Sequence, residues 1–365
     1  MKKQQFYLFL LALLLFGAAA AVSSCSKTED SAPVVNADKA RLTAVIDSVN
    51  AVSTAAVEGT KPGNYAVGSK ATLKTAIDLA TATKNDAGAS QAAVNTAVSS
   101  LRRAAVTFNT SLIQEVSAAN LVAQWKFAGN ANDATANGNN GTLQTGPAGP
   151  APTFPAVPAA GTTQPVLVAD RFGRAGQAYE FLGGAYIEVP YRLALNPQAM
   201  TISAWVKPID SNPDNYIVSV NRWTGYKFQL QSDRKPFLTV TTTNTANPIS
   251  DRDAASGIVA ANAWSHVVTS YVDGTMKFYI NGALVKTWTD VTGSIRAVSQ
   301  QVNLCIGQQL PKNIYNSVPT AGQARDYFQY YSPAHFKGQM DDIRLYNRAL
   351  TDAEVQSIYT IENTL

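Results

Sequence analysis

The chain has 365 residues and a formal charge of +4, with 15% of residues charged and 46% hydrophobic. That length allows two domains or one large one, and the apolar fraction suits a packed core. Sparse, nearly balanced charge excludes the basic stripe through which proteins hold nucleic acid, so no nucleic-acid partner is expected.

The chain opens with Lys2 and Lys3, an almost wholly apolar run from Phe6 to Phe16, and small residues leading to Val22-Ser23-Ser24-Cys25. This pattern predicts a secretory leader over residues 1–24 that ends in a lipobox-like site. The apolar run is too short for a comfortable membrane span. Small side chains ahead of Cys25 fit a peptidase cleft, and the thiol takes a diacylglyceryl thioether. Cys25 is therefore the expected lipidation site, and a membrane the expected first partner. A plain leader with an incidental cysteine is the alternative. The polar segment Ser26-Lys27-Thr28-Glu29-Asp30 resembles the acidic export tags of surface-exposed Gram-negative lipoproteins, which implies an outer-membrane location facing outwards. With Cys25 acylated, Cys305 has no intrachain partner, so no disulfide framework is expected.

Residues 25–36 read as a polar tether, and residues 37–111 as three helices. Leu42, Val45, Ile46, Val49 and Val52 recur on one face of the first. Ser69 is a candidate N-cap for the second, which carries Leu73, Ala76, Ile77 and Ala80. Val94, Val98, Leu101, Ala105 and Phe108 form a heptad-like stripe on the third. Tyr65, Ser69, Leu73, Ala76, Ile77, Ala80, Asn85, Ala89, Gln91, Val94, Ala97, Leu101, Ala104 and Phe108 follow the spacing of FIVAR-like and GA-like modules of bacterial surface proteins, and the segment resembles them. Its expected role is a spacer.

Beyond Thr110 the apolar period falls to two. Strands are predicted at Leu121 to Phe127, Ala185 to Val189, Thr201 to Lys207, Tyr216 to Val220, Lys227 to Gln231 and Phe237 to Thr243. Further strands are predicted at Ser265 to Val272, Met276 to Ile280, Ala283 to Trp288, Val302 to Ile306 and Phe336 to Tyr346. Asp273-Gly274 and Asn281-Gly282 are tight-hairpin signals. Many short strands with little helix predict a mainly β fold, an antiparallel two-sheet jelly-roll sandwich. The Pro- and Gly-rich stretch 144–165 reads as a surface insertion. Thr351-Asp352-Ala353-Glu354 is a capping box that opens one last helix.

Five ordered segments carry a second resemblance. They are Leu121 to Phe127 with the loop through Gly141; Gly176 to Phe181 with Tyr186 to Pro190; Met200 to Pro208; Trp264 to Val268 with Lys277 to Gly282; and Gly338 to Leu350. Together they resemble the LamG-like members of the concanavalin A-like lectin/glucanase superfamily over residues 118–361. The resemblance implies two stacked antiparallel sheets and places Trp125, Trp205 and Trp264 at framework positions. In the strand from Thr201, Ile202, Ala204 and Val206 point one way and Ser203, Trp205 and Lys207 the other.

Glycosidases on such a fold need two carboxylates flanking the scissile bond. None of the seven glutamates falls in the alternating pattern of the laminarinase-type enzymes, and the adjacent Asp341 and Asp342 are expected to point to opposite faces. No catalytic residues are assigned. His266 is expected to be a structural imidazole. The Asx-rich loop Asn130 to Asn140 offers the oxygen donors that Ca²⁺ takes, with Asn130, Asp133 and, from the last strand, Asp341 as expected ligands. A turn capping its own backbone is the alternative for that loop. For ligand binding, two aromatic-rich segments stand out, one with Arg222, Trp223 and Tyr226, the other with Tyr327, Tyr330, Tyr331 and His335. Exposed rings on a rigid sandwich stack on sugars, but the same rings can also fold back as packing.

The function expected is therefore that of a surface-exposed, lipid-anchored, non-catalytic protein that binds a glycan or polysaccharide. A structural or adhesive protein that binds other proteins is one alternative, and an accessory of a glycan-degrading system is another.

Overall fold

Apolar side chains spaced by three and four build the first unit, and side chains spaced by two build the rest. The computed structural model describes residues 37–147, 159–209, 212, 214–220, 224–298, 301–314 and 335–364. Helices α1 (Ala40–Ala55), α2 (Ser69–Asn85) and α3 (Gln91–Thr110) enclose an apolar core that includes Leu42, Ile46, Leu73, Ile77, Val94, Leu101 and Phe108. Ser90 caps α3 by accepting the amide of Ala93. Ser69 is not the cap of α2. Gly68 takes that position at φ 89°, where a β-carbon would be strained, and the Glu58 carboxylate accepts the Lys70 amide at 2.7 Å. The Ile113 amide is still bonded to the Asn64 carbonyl of this unit, whereas the next amide, Gln114, donates to Ser357 Oγ near the chain's end.

Two antiparallel sheets follow. In spatial order the first holds β13 (Ala283–Trp288), β12 (Thr275–Ile280), β11 (Ser265–Val272), β6 (Met200–Pro208), β15 (Gly338–Tyr346), β4 (Ala178–Phe181) and β3 (Val166–Val168). The second holds β10 (Ile249–Asp253), β9 (Pro236–Thr241), β8 (Tyr226–Gln231), β7 (Asp214–Val220), β14 (Leu304–Ile306), β5 (Tyr186–Val189) and β2 (Thr142–Gln144). In the first sheet, β1 (Leu121–Trp125) also pairs with β15. Thus the fold is the mainly β sandwich with a three-helix cluster that the periodicity predicts. Ile202, Ala204 and Val206 of β6 meet Phe228, Leu230, Leu238 and Val240 of the second sheet in one core, with Trp125 fully buried beside them. Asn281 and Gly282 both have positive φ, 50° and 76°, as a two-residue primed turn requires.

One edge of β15 is divided between two strands: Gly338 to Met340 pair with β4, and Ile343 to Tyr346 with β1. The division falls at an irregularity after Asp341, where Asp342 has φ 48°. The bulge overturns the expectation that Asp341 and Asp342 point to opposite faces, because an extra residue breaks the alternation. Both reach Arg171, whose Nη1 lies 2.5 Å from Asp341 and Nη2 3.4 Å from Asp342.

Helix α4 (Asp352–Glu362) opens on the predicted capping box, with Thr351 and Glu354 bonded reciprocally. It packs on the outer face of the first sheet, where Tyr359 stacks on Trp205 at 5.8 Å between centroids. Trp205 Nε1 donates to Glu362 at 2.7 Å, Arg344 pairs with Glu362 at 2.5 Å, and Arg171 donates to the Glu362 carbonyl. His266 is fully buried here and shares a 2.7 Å hydrogen bond with Ser203. Burial, with Arg344 and Arg171 nearby, pushes its pKa down to about 3, so it is the neutral structural imidazole expected.

Three carboxyl groups, those of Asp341, Asp342 and Glu362, thus face two guanidinium groups in a largely buried site. One negative charge is in excess, and a proton is retained to cancel it. Burial, then the neighbouring Asp342, pushes Asp341 up to about 8, and burial pushes Glu362 up to about 7. The folded chain therefore holds protons that the unfolded chain releases near pH 4, so these groups favour folding at low pH and cease to as pH rises through 7 to 8. His266 acts oppositely, but only below its unfolded value of 6.5. Between pH 6.5 and 8.5 the melting temperature should fall, with the carboxyls the main cause and the buried Cys305 thiol, also pushed up by burial, adding in the same sense near the upper end. Glu362→Gln, which cannot ionise, should flatten the fall. A melting temperature independent of pH there would contradict the excess charge.

Candidate functional site

The residues singled out in the sequence are not brought together. Arg222, Trp223, Tyr327, Tyr330 and Tyr331 lie outside the described residues. Tyr226 is no surface platform: it points into the inter-sheet core, fully buried, and its hydroxyl donates to the Leu195 carbonyl at 2.7 Å. The reason is register, since Tyr226 shares the inward phase of β8 with Phe228 and Leu230. His335 is half-buried, bridges to Gln308, and gives its carbonyl to Asn212 Nδ2 at 2.7 Å. Burial, then Lys337, holds its pKa below the usual histidine range, which keeps it neutral at pH 7.

The three expected Ca²⁺ ligands do not fit a cation. Asp133 accepts four hydrogen bonds, from the amides of Gln124, Thr135 and Asn139 and from Thr135 Oγ1, at 2.8 to 3.0 Å. Asn130 Oδ1 accepts the Asn132 amide. Asp341 belongs to the Arg171 cluster beneath α4. A carboxylate ringed by donors has its lone pairs directed at N–H and O–H groups, and the loop caps its own backbone. Among the described residues, no three His, Cys, Asp or Glu side chains form a metal-holding group.

The alternation that buries Tyr226, Phe228 and Leu230 turns Lys227, Gln229 and Gln231 to the outer face of the second sheet. There they meet Asp214 from β7, Phe237 from β9, and Ser232 and Asp233 from the β8–β9 turn, around a cleft of about 340 Å³. Gln229 Nε2 donates to Asp214 at 3.0 Å, while Gln229 Oε1 is enclosed without a hydrogen-bond partner. The Lys227 ammonium lies 5.2 Å from the Phe237 ring centroid and 5.5 Å from that of Tyr216. Phe237 is half-buried, so part of its ring faces the cleft. Asp233 is held below the usual carboxylate range by its hydrogen bond from Lys235, at 2.8 Å. Lys227 and Gln229 are buried in the cleft wall, and the exposed part of the cleft offers carboxylate acceptors and an aromatic surface, which suits a small polar, hydroxylated ligand. None of these residues was singled out in the sequence. The polar phase of Tyr226-Lys227-Phe228-Gln229-Leu230-Gln231 was the signal available.

The loop geometry makes a prediction. EDTA should leave the melting temperature unchanged. Asp133→Ala should lower stability by about 1–3 kcal/mol, the cost of stranding buried donors, in chelator and in calcium alike. A calcium-dependent rise in melting temperature, lost in Asp133→Ala, would show that the loop holds the cation after all.

Residues 181–356 match the family model described as the concanavalin A-like lectin/glucanases superfamily. Among curated proteins, adhesion G-protein coupled receptor V1 of Danio rerio is 24% identical over 192 residues, which is 51% of this chain and 3% of that protein. The chain thus spans a small fraction of that relative. Among solved structures, domain 4 of AbnA, an extracellular arabinanase from Geobacillus stearothermophilus in complex with arabinotriose, is 20% identical with a TM-score of 0.46, covering 66% of this chain and 98% of that one. The binding domain of botulinum neurotoxin serotype G is 13% identical with a TM-score of 0.45, covering 67% and 52%. With the sandwich described above, the family match makes residues 181–356 a domain of the concanavalin A-like lectin/glucanase superfamily.

Proposed function

We propose that the sandwich binds carbohydrate chains in the cleft on the outer face of the second sheet, without cleaving them, and that a lipid on Cys25 holds the chain at the cell surface. The observation that carries the binding reading is the composition of that cleft within a lectin-type domain. A ring, an unpartnered amide oxygen, two acids and an ammonium converge on one small polar space. An aromatic face takes the C–H face of a sugar ring, while the amide and acids accept its hydroxyls. Binding without cleavage is supported by the state of the acids. Acid catalysis of glycosidic cleavage needs a carboxyl raised towards neutrality, whereas Asp233 is lowered by Lys235.

A glycan array probed with the chain lacking residues 1–24 tests the site. A hit should be lost in Phe237→Ala, by about thirtyfold or more in affinity if the ring supplies roughly 2 kcal/mol. Gln229→Ala should weaken the same hit with the fold retained by circular dichroism. Binding unchanged in both variants, or a protein partner in place of any glycan, would overturn the reading.

The anchor rests on Lys2-Lys3, the apolar run and Val22-Ser23-Ser24-Cys25. In a Gram-negative host, Cys25→Ala should shift the chain from the membrane to the soluble fraction or leave it unprocessed. Unaltered size and membrane association would remove the lipid from the proposal.

A further inference from the structure

A second cleft, of about 380 Å³, opens at the end of the sandwich where β1 meets β15, and it shares no residue with the first. Its walls include Asn120, Leu121, Val122, Asn137, Asn139 and Asn347, and Arg192 stands at the rim. Each asparagine is fixed by its own hydrogen bonds. Asn120 Nδ2 donates to Asn347 Oδ1 at 3.0 Å, Asn137 Nδ2 to the Leu121 and Val122 carbonyls, and Asn139 Nδ2 to the Val122 carbonyl at 2.8 Å. Asn139 is 2% exposed, and its Oδ1 has no hydrogen-bond partner. Such an atom loses water without regaining a donor, and a site that supplies one recovers that loss.

Arg192 differs from the other arginines of the sandwich for which an acid is in reach. It is exposed, its side chain forms no ion pair among the described residues, and its Nη1 donates to the Asn137 carbonyl at 2.7 Å. That bond ties the guanidinium to the cleft wall. Gly138, beside the guanidinium, has φ 70°, a conformation that strains a residue with a β-carbon. The remaining N–H groups keep the planar fork that matches a carboxylate.

We propose that this cleft binds an acidic sugar residue of the uronic acid type within a polysaccharide. The carboxylate pairs with Arg192, and a ring hydroxyl donates to Asn139 Oδ1. A bare carboxylate would satisfy Arg192 alone, and a neutral sugar Asn139 alone. A hydroxylated carboxylate satisfies both. The inference does not rest on the cleft of the second sheet, because the two sites have different residues and opposite charge preference.

The test uses the chain lacking residues 1–24 and two probes, trigalacturonate and its fully methyl-esterified form, titrated by calorimetry. Trigalacturonate should bind at least about tenfold more tightly than the ester, and added salt should erode the difference. Arg192→Gln should abolish the preference with an unchanged melting temperature, since the side chain is exposed. Ala194→Asp, a second exposed position on the cleft wall, should repel the acid probe while retaining fold. Phe237→Ala should leave trigalacturonate binding intact, which separates this site from the other. Equal affinity for the two probes, binding of neither, or acid preference retained in Arg192→Gln would overturn the proposal.

Discussion

The buried Arg171 guanidinium is the contact on which the closure of the sandwich depends. It joins Asp341 and Asp342 on the last strand, the main-chain carbonyl of Glu362 at the end of α4, and the face of Trp205 at 4.5 Å. Together with Arg171, these groups come from four separate parts of the chain. Without the cation, two adjacent carboxylates on a buried strand would repel each other and lack any counter-charge. Removing one partner of such a cluster typically costs about 3–5 kcal/mol, much more than the net worth of forming it. The cluster therefore serves specificity: it admits one arrangement of β15, β6 and α4 and penalises the others. Its consequence reaches the far edge of the sheet. The bulge at Asp342 lets β4 and β1 share one edge of β15. Gln124 on β1 then spans from Asp133, through its amide, to Asp342, through its side chain. The loop 130–140, and with it the wall of the second cleft, is set by the same bulge.

Most of the architecture was legible because one face of every long strand is buried. In β6, β8, β11 and β12 the observed bounds lie within two residues of those predicted. The four strands passed over, β2, β3, β4 and β10, span three to five residues. The site was legible only in part. Aromatic residues were weighed by type rather than by phase, so Tyr226 was placed outside when the inward set Tyr226, Phe228 and Leu230 already fixed it inside. Its polar neighbours Lys227 and Gln229, which do line a cleft, were covered only by a strand from Lys227 to Gln231. The oxygen donors of the 130–140 loop were read correctly as donors, but their partners are backbone amides, and only three-dimensional placement shows that. Asp341 and Asp342 misled for a related reason, since a bulge is invisible to a rule that counts by two.

A two-sheet sandwich has two outer faces, and the chain treats them differently. α4 lies on the outer face of the first sheet, anchored by Val355 and Ile358 and by the stack of Tyr359 on Trp205. The outward phase of the second sheet instead carries a row of polar side chains, among them Ser219 on β7, Lys227 and Gln229 on β8, and Thr239 on β9, all of them buried. Polar groups held on a rigid, hydrogen-bonded ladder lose little further freedom when they meet a ligand, so their contacts convert into affinity with a smaller entropic loss. Phe237, half-buried at the margin of that row, supplies the apolar contact that a purely polar surface lacks.

The distribution of acids completes the functional argument. Carboxyls pushed towards neutrality, the state a proton-donating catalyst needs, occur at Asp341 and Glu362. Both are sealed beneath α4 and bonded to arginines, out of reach of any ligand. Of the acids that border the cleft of the second sheet, only Asp233 has a shifted carboxyl, and it is shifted the other way. Asp214 accepts from Gln229, and Asp233 is held ionised by Lys235. Ionised acids fixed by neighbours accept hydroxyl protons as hydrogen bonds without taking them, which is the chemistry of holding a sugar. The raised carboxyls beneath α4 and the cleft of the second sheet are on opposite sides of the sandwich. That separation supports the reading of a protein that grips its ligand and leaves its bonds intact.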